Sequence, residues 1–252
     1  MNSAVFINEK GGVGKSSCAW SMACYEAERG RRVLLVDCDG QRANLTYFAG
    51  IAKTPETQTL YDVLYKDVPL SNVIKTVKTN LDIVPATSDV SNVTSTAKIS
   101  RFKAAVKEVK ECYDLILFDV NPGSWMHVLV LSCVDDAVIT MLPDVASLEA
   151  NKGIVETIND IKDTTNPSLR VLGLLFNRNV NRTNLSRQSK AMAEIMAKDL
   201  DTVIFDTKIR DCVALGECIA FHQGVTEYSP KSPVSEDIRR LSDEFWSRVG
   251  EN

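Results

Sequence analysis

Short apolar runs alternate along this chain with longer segments whose apolar positions recur every third or fourth residue. The runs are residues 4–7, 33–36, 81–84, 115–118, 137–141, 171–176 and 203–205. A strand covered on both faces has no polar side, so continuous apolar runs of this kind predict buried parallel strands. The intervening segments at 16–29, 102–112, 148–161 and 184–198 carry the helical period. In the first of them Ala19, Met22, Ala23 and Ala27 share a face, and Gly30 is placed to end the helix in a left-handed conformation. Strands alternating with helices predict the α/β class: one domain over residues 1–252, a mostly parallel twisted sheet with helices on both faces, and ligands at the carboxyl ends of the strands.

Composition leaves this picture intact. A hydrophobic fraction of 44% with 25% charged residues suits a globular protein with a real core. No repeat or linker divides the chain. The final segment places Ile238, Leu241, Phe245, Trp246 and Val249 on one helical face, which predicts docking on the core. No apolar stretch approaches the length of a membrane span and no signal-peptide core precedes residue 7, so the expected address is cytoplasmic. The net charge of −4 argues against a uniformly basic nucleic-acid binder, while leaving room for a local basic patch. The seven cysteines are scattered and never spaced C-x-x-C, so they read as small buried apolar residues, and His127 and His222 as ordinary surface or core residues.

The chemistry concentrates between the first strand and the first helix, in Lys10-Gly11-Gly12-Val13-Gly14-Lys15-Ser16. Glycines at 11, 12 and 14 let successive amide N–H groups point inward as a concave anion site. Lys15 reaches the outer phosphates, the Ser16 hydroxyl ligates magnesium, and the helix opening at Ser16 and Ser17 adds its positive end. This predicts a P-loop NTPase binding ATP and magnesium. Two acidic segments sit at strand ends to match. Asp37 and Asp39, at i and i+2, leave the second strand on one side. Asp119 closes the apolar run 115–118, where a carboxylate faces magnesium.

The general P-loop pattern requires glycine at position 9, where this chain has Glu9. The form K-G-G-x-G-K-[ST] with Lys10 resembles the deviant Walker A motif of the ParA/MinD family of ATPases. That resemblance implies that Lys10 reaches the phosphates in the partner subunit of a homodimer formed on ATP binding, and joins Lys15 and Asp39 in catalysis. Asp37-Cys38-Asp39-Gly40-Gln41-Arg42-Ala43-Asn44 resembles the family's D-x-D-P-Q-G-N switch, with Gly40 for the proline and one added residue at Arg42-Ala43. It implies that Asp39 orients the attacking water and Asp37 supports the magnesium shell, with a switch loosened by Gly40. Val120-Asn121-Pro122-Gly123 follows Asp119 where the family has T-P-P.

Leu174-Leu175-Phe176-Asn177 resembles the family's late strand, whose asparagine contacts adenine, and the segment from Phe205 to Tyr228 resembles its C-terminal pattern. The likeness is greatest to small ParA proteins without an N-terminal helix-turn-helix domain. It implies a partition ATPase for plasmid or chromosome, nucleoid-associated with ATP, binding nonspecific DNA and stimulated by a centromere-binding ParB-type partner. Arg178, Arg182, Arg187 and Lys190 are the candidate DNA contacts, with Lys208 and Arg210 as additions. Two other readings stand beside it. A MinD-like ATPase cycling on membranes is disfavoured by Glu236, Asp237, Asp243 and Glu244 in the last segment. A nucleotide-sensing scaffold with incidental hydrolysis is suggested by Gly40 and Asn121.

Overall fold

Every apolar run but the last becomes a strand of one seven-stranded sheet, ordered β3-β4-β2-β5-β1-β6-β7. The computed structural model describes residues 2–121, 123–144, 151–178 and 187–250. The strands are β1 (Asn2–Ile7), β2 (Val33–Cys38), β3 (Lys75–Lys78), β4 (Leu81–Val84), β5 (Leu115–Val120), β6 (Asp136–Met141) and β7 (Arg170–Phe176). All neighbours run parallel except β3, which pairs antiparallel with β4. The sequence pattern passed over β3 because Lys-Thr-Val-Lys is an edge strand with no fully buried side chain, which has little apolar surface to betray it. The run at 203–205 forms only a single bridge, Leu174 to Ile204, and Val203 is exposed.

Alternation along each strand sorts side chains to two faces. In β1, Val5 and Ile7 join one core while Ala4 and Phe6 join the other. The first core is covered by α3 (Leu60–Tyr65), α4 (Leu70–Val73), α5 (Ile99–Lys110), α6 (Trp125–Leu131), α7 (Lys152–Thr164) and α8 (Arg187–Asp199). The second is covered by α1 (Lys15–Glu28), α2 (Asn44–Phe48), α9 (Ala214–Ala220), α10 (Val225–Tyr228) and α11 (Pro233–Gly250). The expected ranges 148–161 and 184–198 start in residues outside those described, and the helices are described over Lys152–Thr164 and Arg187–Asp199. Gly30 follows α1 at φ 88°, as expected of its stop signal. The stripe of α11 is spent on the core: Ile238, Leu241 and Phe245 are fully buried, and Glu26 of α1 accepts hydrogen bonds from Ser242 and from Trp246 Nε1.

β1 lies at the centre of the sheet between β5 and β6. Register then aligns the chemistry, with Phe6 opposite Asp119 and Asp37 opposite Asp119. The glycine loop and both acids therefore emerge side by side at the carboxyl ends of three adjacent strands.

Candidate functional site: a phosphate cradle with two buried acids

The glycine loop is fixed at both ends. Asn8, fully buried after β1, donates from Nδ2 to the Thr140 carbonyl at 2.5 Å and accepts from the Lys10 amide at 2.5 Å. At the other end Gly14 caps α1 with φ 88°, where an added Cβ would lie 2.0 Å from Asn177 Nδ2. Only glycine fits there on both counts. Gly11, Gly12, Gly14, Lys15, Ser16 and Ser17 line a cavity of about 270 Å³ together with Asp39, Gln41, Arg42, Asn44 and Asn121. Lys15 is 6% exposed, with Nζ donating to the Lys10 carbonyl at 3.5 Å. Burial lowers its pKa from the ordinary lysine value, while the charges of Asp119 and Asp39 pull it back up. Asn44 Nδ2 reaches Ser16 Oγ at 3.4 Å, tying the switch segment to the hydroxyl proposed for metal.

The three acids sit in different environments. Asp37 is fully buried with both oxygens hydrogen-bonded: Oδ2 accepts from the Thr46 amide at 2.8 Å and its hydroxyl at 2.7 Å, and Oδ1 from the Asp39 amide at 3.1 Å. It organises the start of α2 and adds negative charge beside the cradle. Burial raises its pKa to about 6 against the pull of those hydrogen bonds. Asp39 Oδ1 accepts from the amides of Gln41 at 2.9 Å and Arg42 at 3.1 Å, curling the switch around its carboxylate. Asp119 is 1% exposed, and neither oxygen has a hydrogen-bond partner. Burial first, and the charge of Asp37 second, raise its pKa to about 7; Ser16 and Lys15 lie near enough to oppose this, though the hydroxyl stops short of a hydrogen bond. A buried carboxylate with two orphaned oxygens beside a serine hydroxyl fits a hard divalent cation.

Asn177, 3% exposed at the end of β7, donates from Nδ2 to the Val13 carbonyl at 2.7 Å and accepts from the Arg178 amide at 2.8 Å. It thus ties β7 to the glycine loop. A second cleft, about 550 Å³, opens beside it between Gly14, Ser17, Arg178, Asp211 and Val213. Lys10 stands apart: its side chain is 40% exposed and lies 3.9 Å from Asp144, just past β6, outside the lining of its own phosphate cavity.

Among the described residues, the basic candidates lie in different surroundings. Arg178 lines both clefts and lies 4.0 Å from Asp211. Lys190 is exposed on α8, 3.7 Å from Glu194. Arg182 and the Arg187 side chain lie outside the described residues. Lys208 is exposed, but Arg210 is committed to Asp237 through bonds of 2.6 and 2.8 Å. Sequence reasoning missed Asn8 and Thr46, whose roles depend on which strands meet.

Comparison with known proteins agrees with the geometry. The AAA domain family model matches residues 1–171. The chromosome-partitioning ATPase Soj of Thermus thermophilus is 32% identical over 247 residues, covering 97% of this chain and 95% of that protein. The chain belongs to the ParA/MinD family of ATPases. The chromosome partitioning protein ParA of Caulobacter vibrioides is 30% identical over 252 residues, covering 96% of this chain and 92% of its own. Among solved structures, the septum site-determining protein MinD of Pyrococcus horikoshii, complexed with Mg-ADP, shares the fold at a TM-score of 0.78, with 22% identity and coverage of 99% and 97%. Within this ParA/MinD family fold, one departure has a packing reason. A Cβ on Gly40 would lie 2.3 Å from the Ser91 amide nitrogen in the 3-10 helix Ser88–Asn92, so the switch is packed tightly here and not loosened.

Proposed function

We propose that this chain is a magnesium-dependent partition ATPase whose site closes only when two ATP-bound copies meet. The observation that carries this reading is the position of Lys10. Lys15, Ser16 and Asp39 line one cradle with Asp119 buried beside Ser16 and Lys15, while Lys10 lies outside that lining, near Asp144. A cation outside its own phosphate site is placed to serve another.

In this reading the loop amides and Lys15 bind the phosphates, and the base lies in the cleft beyond Asn177, which holds the loop against β7. Ser16 and Asp119 hold magnesium, with Asp37 adding charge from behind; when bound, the metal neutralises phosphate charge during transfer. Asp39 positions the attacking water. Lys10 arrives from the partner and stabilises charge on the transferred group, coupling dimerisation to ATP.

Similarity to Soj and ParA over nearly the whole chain supports partition as the process, with nonspecific DNA and a ParB-type protein as partners and the nucleoid as the ATP-bound location. Lys190, Arg187 and Arg182 remain the DNA candidates, and Arg178 is reassigned to the nucleotide. The membrane-cycling alternative loses support because the apolar stripe of α11 is buried, and no helix among the described residues is long and apolar enough to cross a membrane. The test is DNA co-sedimentation with ATP across a salt series. Binding that requires ATP and falls steeply with salt is expected; no retention at low salt would contradict the DNA role.

A further inference from the structure

The added residue in the switch puts an arginine at the phosphate cavity. Arg42 lines it together with Asp39, and its charge is felt by the Lys15 ammonium. The backbone around it is clamped. The Arg42 amide donates to Asp39 Oδ1 at 3.1 Å, its carbonyl accepts from Lys53 Nζ at 3.0 Å, and the Ala43 amide donates to the Asp39 carbonyl at 2.7 Å. Ala43 is held at φ 47°, a conformation that alanine rarely adopts. No carboxylate among the described residues forms an ion pair with Arg42, so its guanidinium is uncommitted while the loop that carries it is fixed. Backbone strain maintained by local hydrogen bonds beside a reacting site is a recurrent functional signature.

We infer that Arg42 is a catalytic arginine acting within its own subunit, contacting the γ-phosphoryl oxygens as ATP is hydrolysed. The inference rests on the ATPase reading of the site. In the step, the water oxygen bonds to the γ-phosphorus. The bond from phosphorus to the β,γ-bridging oxygen breaks with its electron pair remaining on ADP, one water hydrogen stays on the released phosphate as its hydroxyl, and the other leaves to solvent as a proton. Charge grows on the equatorial and bridging oxygens as this happens. A planar guanidinium donates to two of those oxygens at once, which the point charge of Lys15 does not. Gln41 and Asn44, which share the cavity lining, are neutral, so Arg42 is the one cation of the 37–44 segment.

The experiment compares wild type with Arg42→Ala and Arg42→Lys. It reads three quantities: ATP turnover at saturation, affinity for a non-hydrolysable ATP analogue, and affinity for ADP with magnesium and aluminium fluoride, which mimics the transferred phosphoryl group. Arg42→Ala is expected to lose turnover on the order of 100- to 1,000-fold. Its analogue affinity should stay within about 3-fold while its aluminium fluoride complex weakens by at least about 30-fold. Arg42→Lys should recover only part of either loss. Turnover near wild type in Arg42→Ala would overturn the proposal. So would equal weakening of the analogue and the aluminium fluoride complex, which assigns Arg42 to ground-state binding. Failure of wild type itself to turn over ATP or bind the fluoride complex overturns the ATPase reading, and the role of Arg42 with it.

Discussion

Replacing Asp119 with Asn removes a charge that the nucleotide-free protein holds at a loss. Asp119 is fully buried without a hydrogen bond, and its pKa is raised from 3.8 to about 7. In the unfolded chain the group gives up its proton above about pH 4. In the folded chain it keeps the proton until about pH 7. Between those values the native state binds more protons, so its stability falls as pH rises, and the penalty is complete above the folded pKa. Three pH units at 1.36 kcal/mol each set an upper bound of about 4 kcal/mol. Because Asp37 shares the titration across the β2–β5 register, about 2–3 kcal/mol is the working figure for Asp119 alone.

Asp119→Asn resembles the protonated acid in shape and charge. Without nucleotide or magnesium the variant should therefore match wild type only near pH 4 and below, where the acid is protonated in both states, and melt about 4–9 °C higher at pH 8. The assay is a pair of melting curves over that pH range, so that titrating groups not coupled to Asp119 cancel in the difference. Magnesium with an ATP analogue should then raise the wild-type midpoint and close the gap, because the cation compensates the carboxylate, while the variant gains little from the metal. A variant that melts below wild type at pH 8, or a difference that does not change with pH, would refute the assignment of Asp119 as an uncompensated buried acid.

Two further substitutions test how the site is held. Gly40→Ala would drive a methyl group against the Ser91 backbone at 2.3 Å, so urea denaturation should show a loss of about 1–3 kcal/mol; unchanged stability would mean the switch is not packed there. Asn177→Ala removes the buried bond to the Val13 carbonyl, worth about 1–2 kcal/mol, and fluorescent-nucleotide titration should show affinity weakened about 5- to 30-fold. Unaltered affinity would mean the loop keeps its shape without β7.

How much of this was legible depended on whether the cause was local. The cradle could be read from Gly11 to Ser16 because loop glycines, a lysine and a hydroxyl each do their work where they stand. The major strands could be read because a parallel strand buried on both faces must be apolar throughout. The short helices α2, α3 and α4, of four to six residues, have too few turns to show a period. Asp37 looked interchangeable with Asp39, since two acids two residues apart look alike in sequence. The distinction came from Thr46, which occupies one of its oxygens once α2 folds back. Gly40 looked like a loosened switch for the same reason: Ser91, its neighbour in space, is distant along the chain.

The central claim is that the site is half-built until a second copy supplies Lys10. The direct measurement is light scattering of wild type and Lys10→Ala with magnesium and a non-hydrolysable ATP analogue, alongside nucleotide affinity. The account predicts that wild type doubles in mass, and that Lys10→Ala still binds nucleotide but stays a monomer. A Lys10→Ala protein that dimerises as readily as wild type would contradict it.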